Sequence, residues 1–341
     1  MIVRINLDRI KNSQVLERLR NGIPDDQLQS PFARAGLLPY LFIALFFTGL
    51  VVAFQLTSFK FDMKGLRSPI QLFGGLMLCG FAARRYGHER IAGALESIGI
   101  LGIFGLLSVF ALTILSATNF PLADETLIRA DAALGFSWMG MMRSLGDEPN
   151  LMGGLAWAYN SLQWQAISVI IILMILNKQN ELWIFINGWV LGLTITGFLF
   201  PFFPAVAAIN YYGLTAYPGV HSADFIDWMQ GVRNGTIRVV DVASIRGIVT
   251  FPSFHATTAV LFAWGFWRVP IARWLFLALN GIMLVATIVI GGHYLVDILG
   301  GIAIAVLSLV ISSFIVRNRS VAKPDDRRKS RRDAAAKTTY T

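Results

Sequence analysis

The sequence predicts an all-α fold: a polytopic membrane bundle of about eight transmembrane helices. Three observations carry this reading. The chain is 55% hydrophobic but only 14% charged, whereas a soluble domain is about one-quarter charged. The charge gathers in the first 36 residues, in short loops and in the last 25 residues. Between these lie apolar runs of the length that a bilayer core demands, roughly 20 residues.

The elements follow in order. Residues 1–36 are polar and basic, with Val3, Leu7, Ile10, Leu16 and Leu19 set among Arg4, Arg9, Lys11, Arg18 and Arg20. That pattern fits either an amphipathic interfacial helix or a plain solvated one. The first apolar run begins near Leu37, too late and too long for a cleavable signal peptide. Hydropathy places spans at 37–56, 69–83, 97–118, 152–176, 182–203, 254–267, 274–290 and 298–316, of which the second and sixth are short. Residues 317–341 read as a basic, disordered cytoplasmic tail that contacts anionic lipid.

Loop charge sets the orientation. With the amino terminus inside, 21 of the 29 Lys and Arg residues fall on the cytoplasmic side. Both termini are then cytoplasmic. Two long loops, 119–151 and 204–252, lie on the outer face. The net charge of +9 does not point to nucleic acid: nine basic residues crowd into 317–337, where Tyr340 is the only nearby aromatic residue. The single cysteine, Cys79, sits in an apolar run and excludes an internal disulfide. The sequence shows no internal repeat of the kind found in inverted-repeat transporters.

Chemistry concentrates in two segments. The first is Thr250-Phe251-Pro252-Ser253-Phe254-His255. Pro252 suits the first position of a helix. The free N–H groups behind it, with the Ser253 hydroxyl, suit a phosphate, and His255 falls within that first turn. The same segment also reads as a helix cap with an interfacial histidine. The second is Gly291-Gly292-His293-Tyr294-Leu295-Val296-Asp297, followed by Gly300-Gly301. If helix resumes at His293, then His293 and Asp297 share a face as i and i+4. A carboxylate there fixes the imidazole tautomer and leaves the other nitrogen nucleophilic; alternatively, the two are a buried pair satisfying each other. Both segments fall on one face under an orientation drawn from charge alone.

Together, Pro252-Ser253-Phe254-His255 and His293-Tyr294-Leu295-Val296-Asp297 resemble the type 2 phosphatidic acid phosphatase superfamily. The histidine–tyrosine pair and the glycines after Asp297 are most similar to its inositol phosphorylceramide synthase (inositolphosphotransferase) branch. Upstream, Asp131-Ala132-Ala133-Leu134-Gly135 is similar to bacterial members, which implies a bacterial inner (plasma) membrane. The resemblance implies a six-helix core over 97–316, with two additional transmembrane helices in 37–96. It further implies that His293 attacks phosphorus to form a phosphohistidine, Asp297 orients it, His255 protonates the leaving group, and Ser253 holds phosphoryl oxygens. No metal or other cofactor is implied. The chain departs from the family at two places. Ala286 and Thr287 stand where a Ser-Arg pair is usual, and there is no Lys-x6-Arg-Pro motif. Developing phosphoryl charge calls for a cation, so Arg246, Arg233 and Arg238 of the second outer loop become candidate substrate-binding residues, Arg246 foremost.

The leading reading is a membrane-embedded enzyme acting at the outer face on a phospholipid or isoprenoid phosphate, with water or an alcohol as acceptor. One alternative is a non-catalytic transporter or lipid-binding protein retaining the motif. Another is a metal-dependent hydrolase with His255, His293 and Asp297 as ligands, which sensitivity to chelators would reveal.

Overall fold

A computed structural model describes residues 38–62, 65–145, 148–214, 223–240, 249–267, 269–270 and 272–321. The expected amino-terminal segment, most of the basic tail and Arg246 lie outside the described residues.

Helix forms at every predicted span. α1 (Leu38–Leu56) is apolar on all sides, and Leu41, Leu45 and Phe47 face outward, as suits lipid. A two-residue strand, β1 (Lys60–Phe61), leads to α2 (Arg67–Arg85). α2 lies close along α3 (Glu89–Ser116), because Gly80, Gly99 and Gly102 leave no side chain between them. Buried charge is paired here, as an apolar medium requires: Arg84 Nη2 donates to Glu96 Oε2 at 2.6 Å, and the Tyr40 hydroxyl of α1 donates to the same oxygen.

Two short helices follow, α4 (Asp124–Ala133) and α5 (Trp138–Leu145). The fourth predicted span is not continuous. It is α6 (Pro149–Asn160) and α7 (Leu162–Ile175), bent by 47° at Ser161. α8 (Gln179–Leu199) is the central helix, buried along most of its length. A 3-10 turn and the short α9 (Ala208–Tyr211) follow it, then α10 (Ala223–Asn234) and β2 (Val239–Val240). The bundle ends with α11 (Phe254–Phe266), α12 (Arg273–Val289) and α13 (Leu295–Val321). α13 continues past residue 317, where the tail is expected to begin.

By length and composition, four helices among the described residues are able to cross a membrane, or five if the bent pair counts as one span. The figure of eight rests on shorter helices as well. α11 has 13 residues and reaches about 20 Å, short of a roughly 30 Å hydrocarbon core. The chain is a helical membrane protein, and a belt of outward-facing Leu78, Phe81, Ile175, Leu275, Val310 and Phe314 marks its apolar surface.

β1 and β2 pair in parallel, with Lys60 N donating to Arg238 O at 2.8 Å and Asp62 N to Val240 O at 3.0 Å. The Arg238 guanidinium lies 4.6 Å from the centre of the Phe59 ring. The α1–α2 hairpin is thereby stitched to the loop that follows α10.

Candidate active site

The two motif segments meet where α11 and α13 begin. Ser253 is fully buried and caps α11: its backbone is extended, and its hydroxyl accepts from Ala256 N at 3.3 Å. Pro252 therefore lies outside the helix and not at its first position, because the shorter Ser253 side chain folds back onto the first turn. His255 is the second helical residue and stays in that turn, as expected. The segments are knit by backbone, with Ser253 N donating to Asp297 O at 3.0 Å. Thr257 Oγ1 is shared between Ser253 O and Gly301 O, at 3.1 and 3.0 Å.

Helix resumes at Leu295, two residues later than the sequence suggests. His293 sits in the preceding turn, which Gly292 makes with φ +65°, a conformation that only glycine adopts cheaply. The expected pairing forms nonetheless: His293 Nδ1 lies 3.2 Å from Asp297 Oδ2. The same oxygen accepts from Tyr294 N at 2.9 Å. His293 Nε2 faces the Ser253 hydroxyl at 3.4 Å. Against an ionised Asp297, Nδ1 carries the proton and Nε2 keeps its lone pair, aimed at the Ser253 cap.

Several contacts that hold the candidate site lie beyond the motif. Asp131 of α4 spans the start of α13, with one oxygen accepting from Leu295 N and the other from Val296 N, each at 2.9 Å. Asp124 accepts from Val206 N through both oxygens and from the Tyr294 hydroxyl at 2.8 Å. Burial pushes both carboxyls up from the ordinary range, and their hydrogen bonds oppose this. Tyr294, which the sequence marks only as half of the histidine–tyrosine pair, is fully buried against Asp124. Tyr159 of α6 stacks on the His255 ring at 4.1 Å and 10°. The sequence marks Asp131 only as the first residue of a stretch similar to bacterial members and marks Tyr159 not at all, because their partners stand roughly a hundred or more residues away.

The candidate arginines differ in what the structure describes. Arg233 Nη2 donates to Phe120 O at 2.7 Å, and Arg238 Nη1 to Val232 O at 2.9 Å. Each keeps further donors. Arg246 lies outside the described residues. At the place of the usual Ser-Arg pair, Ala286 is fully buried, and the Thr287 hydroxyl turns back to Met283 O at 2.7 Å while its carbonyl accepts from His293 N at 3.4 Å, so neither side chain supplies a cation. Among the described residues, no group of three or more His, Cys, Asp or Glu side chains is placed to hold a metal ion.

A helical membrane bundle whose two histidine-bearing segments meet at two helix starts fits a phosphatase-like membrane protein. A family model described as the PAP2 superfamily matches residues 125–311, more than half of the 341-residue chain. The chain belongs to that superfamily. No curated protein and no solved structure matches it.

Proposed function

We propose that this protein is a lipid phosphatase or phosphotransferase that works through a phosphohistidine on a phospholipid or isoprenoid phosphate. One observation carries the reading: His293 is held by Asp297 through Nδ1 while Nε2 faces the Ser253 cap. In the first step Nε2 bonds to phosphorus as the bond from phosphorus to the leaving oxygen breaks, and His255 gives that oxygen a proton. Asp297 offsets the charge that grows on the imidazole ring. In the second step an acceptor hydroxyl gives its proton to His255 and bonds to phosphorus, and the N–P bond breaks. Water as acceptor makes the protein a phosphatase; an alcohol makes it a transferase. The sequence His293-Tyr294 and the glycines that follow favour the inositolphosphotransferase-like branch.

Ser253 and the first N–H groups of α11 hold phosphoryl oxygens in this reading. Arg246, Arg233 and Arg238 supply the cation that the Ala286 and Thr287 positions do not. The reaction needs no metal. The loop charges favour a site on the outer face with both termini cytoplasmic, and the resemblance to bacterial members favours a bacterial inner membrane.

The test is release of phosphate, or its transfer to an added alcohol, from phosphatidic acid and an isoprenoid phosphate in mixed micelles with excess chelator. Activity is expected with chelator present and absent in His293→Ala. Undiminished turnover by His293→Ala would sink the nucleophile assignment. Loss of wild-type activity on chelation, restored by a divalent cation, would favour the metal-dependent reading.

A further inference from the structure

The mechanism asks His255 to deliver a proton in a fixed direction, yet no hydrogen bond among the described residues anchors its ring. An imidazole is broad and roughly two-fold about χ2 unless something holds it. What holds this ring is flat. Tyr159 lies against it almost coplanar, 4.1 Å between centres and 10° between planes. Stacking covers the face of an imidazole and leaves both nitrogens, which lie in the ring plane, free at the rim. An aromatic face also accommodates imidazolium as well as imidazole, so the contact survives both protonation states of the cycle.

The Tyr159 ring is itself fixed from two sides. It is the penultimate residue of α6, just before the 47° elbow. At the elbow, the Ser161 hydroxyl donates to Ala158 O at 2.6 Å and accepts from Gln165 Nε2 at 2.7 Å. Gln165 Oε1 then accepts from Asn280 Nδ2 of α12 at 2.9 Å, so a buried polar chain ties the elbow to the bundle. The edge of the same ring meets the catalytic turn. A Cβ built on Gly291 would stand 3.0 Å from Tyr159 Cε2 and 3.0 Å from His293 Cδ2. One aromatic ring therefore touches His255 with its face and the backbone beside His293 with its edge.

We propose that Tyr159 is a positioning residue that sets the direction of proton delivery by His255. This rests on the acid–base role given to His255 above. The flat ring, not the hydroxyl, performs the task, so phenylalanine should replace it and an aliphatic side chain should not.

Leaving groups provide the test. An alkyl phosphate such as phosphatidic acid needs a proton on departure, whereas p-nitrophenyl phosphate expels a stable phenolate and does not. Single-turnover release of the leaving group, which does not depend on the acceptor, is measured for wild type, Tyr159→Phe, Tyr159→Leu, Tyr159→Met and His255→Ala. Tyr159→Leu should slow release from phosphatidic acid about tenfold and from p-nitrophenyl phosphate less than about twofold. Tyr159→Phe should stay within about twofold of wild type on both. Tyr159→Met, flexible and of similar bulk, takes the place of Tyr159→Leu if that variant does not fold. Equal slowing on both substrates would reduce Tyr159 to packing, and no slowing on either would remove it from the site; both outcomes overturn the proposal. A wild type inactive on both substrates, or an active His293→Ala, would fail the phosphohistidine reading instead, and the positioning role with it.

Discussion

The two helices that meet at the site begin in opposite ways. α13 starts under carboxylates: Asp131 takes the N–H groups of Leu295 and Val296, and Asp297 takes that of Tyr294. α11 starts under a neutral hydroxyl, Ser253, which takes only Ala256 N. Among the described residues, no hydrogen bond reaches the N–H groups of Phe254 or His255. A helix start carries about half a positive charge and attracts anions. At α13 that attraction is met by the protein's own carboxylates, which fix the turn that carries His293. At α11 no carboxylate among the described residues meets it. On the proposed mechanism a phosphate takes that place, so the start that lacks an anion of its own is the one that binds substrate.

That contrast can be broken in graded steps. The largest effect belongs to His293→Ala, which should abolish phosphoenzyme formation, a loss of at least about a thousandfold in single-turnover release. His255→Ala comes next, at about a hundredfold to ten-thousandfold on an alkyl phosphate. Ser253→Ala attacks the open start. It should slow turnover about a hundredfold, while the lost cap costs only about 1 kcal/mol in a denaturation midpoint analysis. Asp131→Ala attacks the closed start and should show the reverse balance. Two buried N–H groups lose their acceptor, at about 1–3 kcal/mol each, with turnover down about tenfold. Orthovanadate sharpens the comparison, since it should slow amide hydrogen exchange at Phe254 and His255 and leave Leu295 and Val296 unchanged. Equal protection at both starts would dissolve the distinction. Smallest are Arg233→Ala and Arg238→Ala, which should raise KM about threefold with kcat held, as each guanidinium already spends one donor on a backbone carbonyl.

The candidate site was legible in the sequence where its contacts are local. His293 and Asp297 are four residues apart, and Ser253 and His255 share one turn, so short motifs reveal both pairs. The bundle was legible because apolar runs report bilayer thickness directly. Neither signal reaches across the chain. The acceptor of Leu295 N stands 164 residues upstream, in an acidic loop that composition alone leaves without a role. The stack on His255 comes from a helix read as an unbroken span, because Ser161 is an ordinary span residue until its hydroxyl finds Gln165. The helix start at Leu295 shifted by two residues because Gly292 turns left-handed and delays it.

A Cβ on Gly301 would collide with the carbonyl of Ser253, and on Gly300 it would stand 3.2 Å from Phe251 and Pro252. The spacing between the starts of α11 and α13 is thus gauged by two absent methyl groups. Alanine at Gly301 would act as a shim between the two helix starts, and its thickness is one carbon.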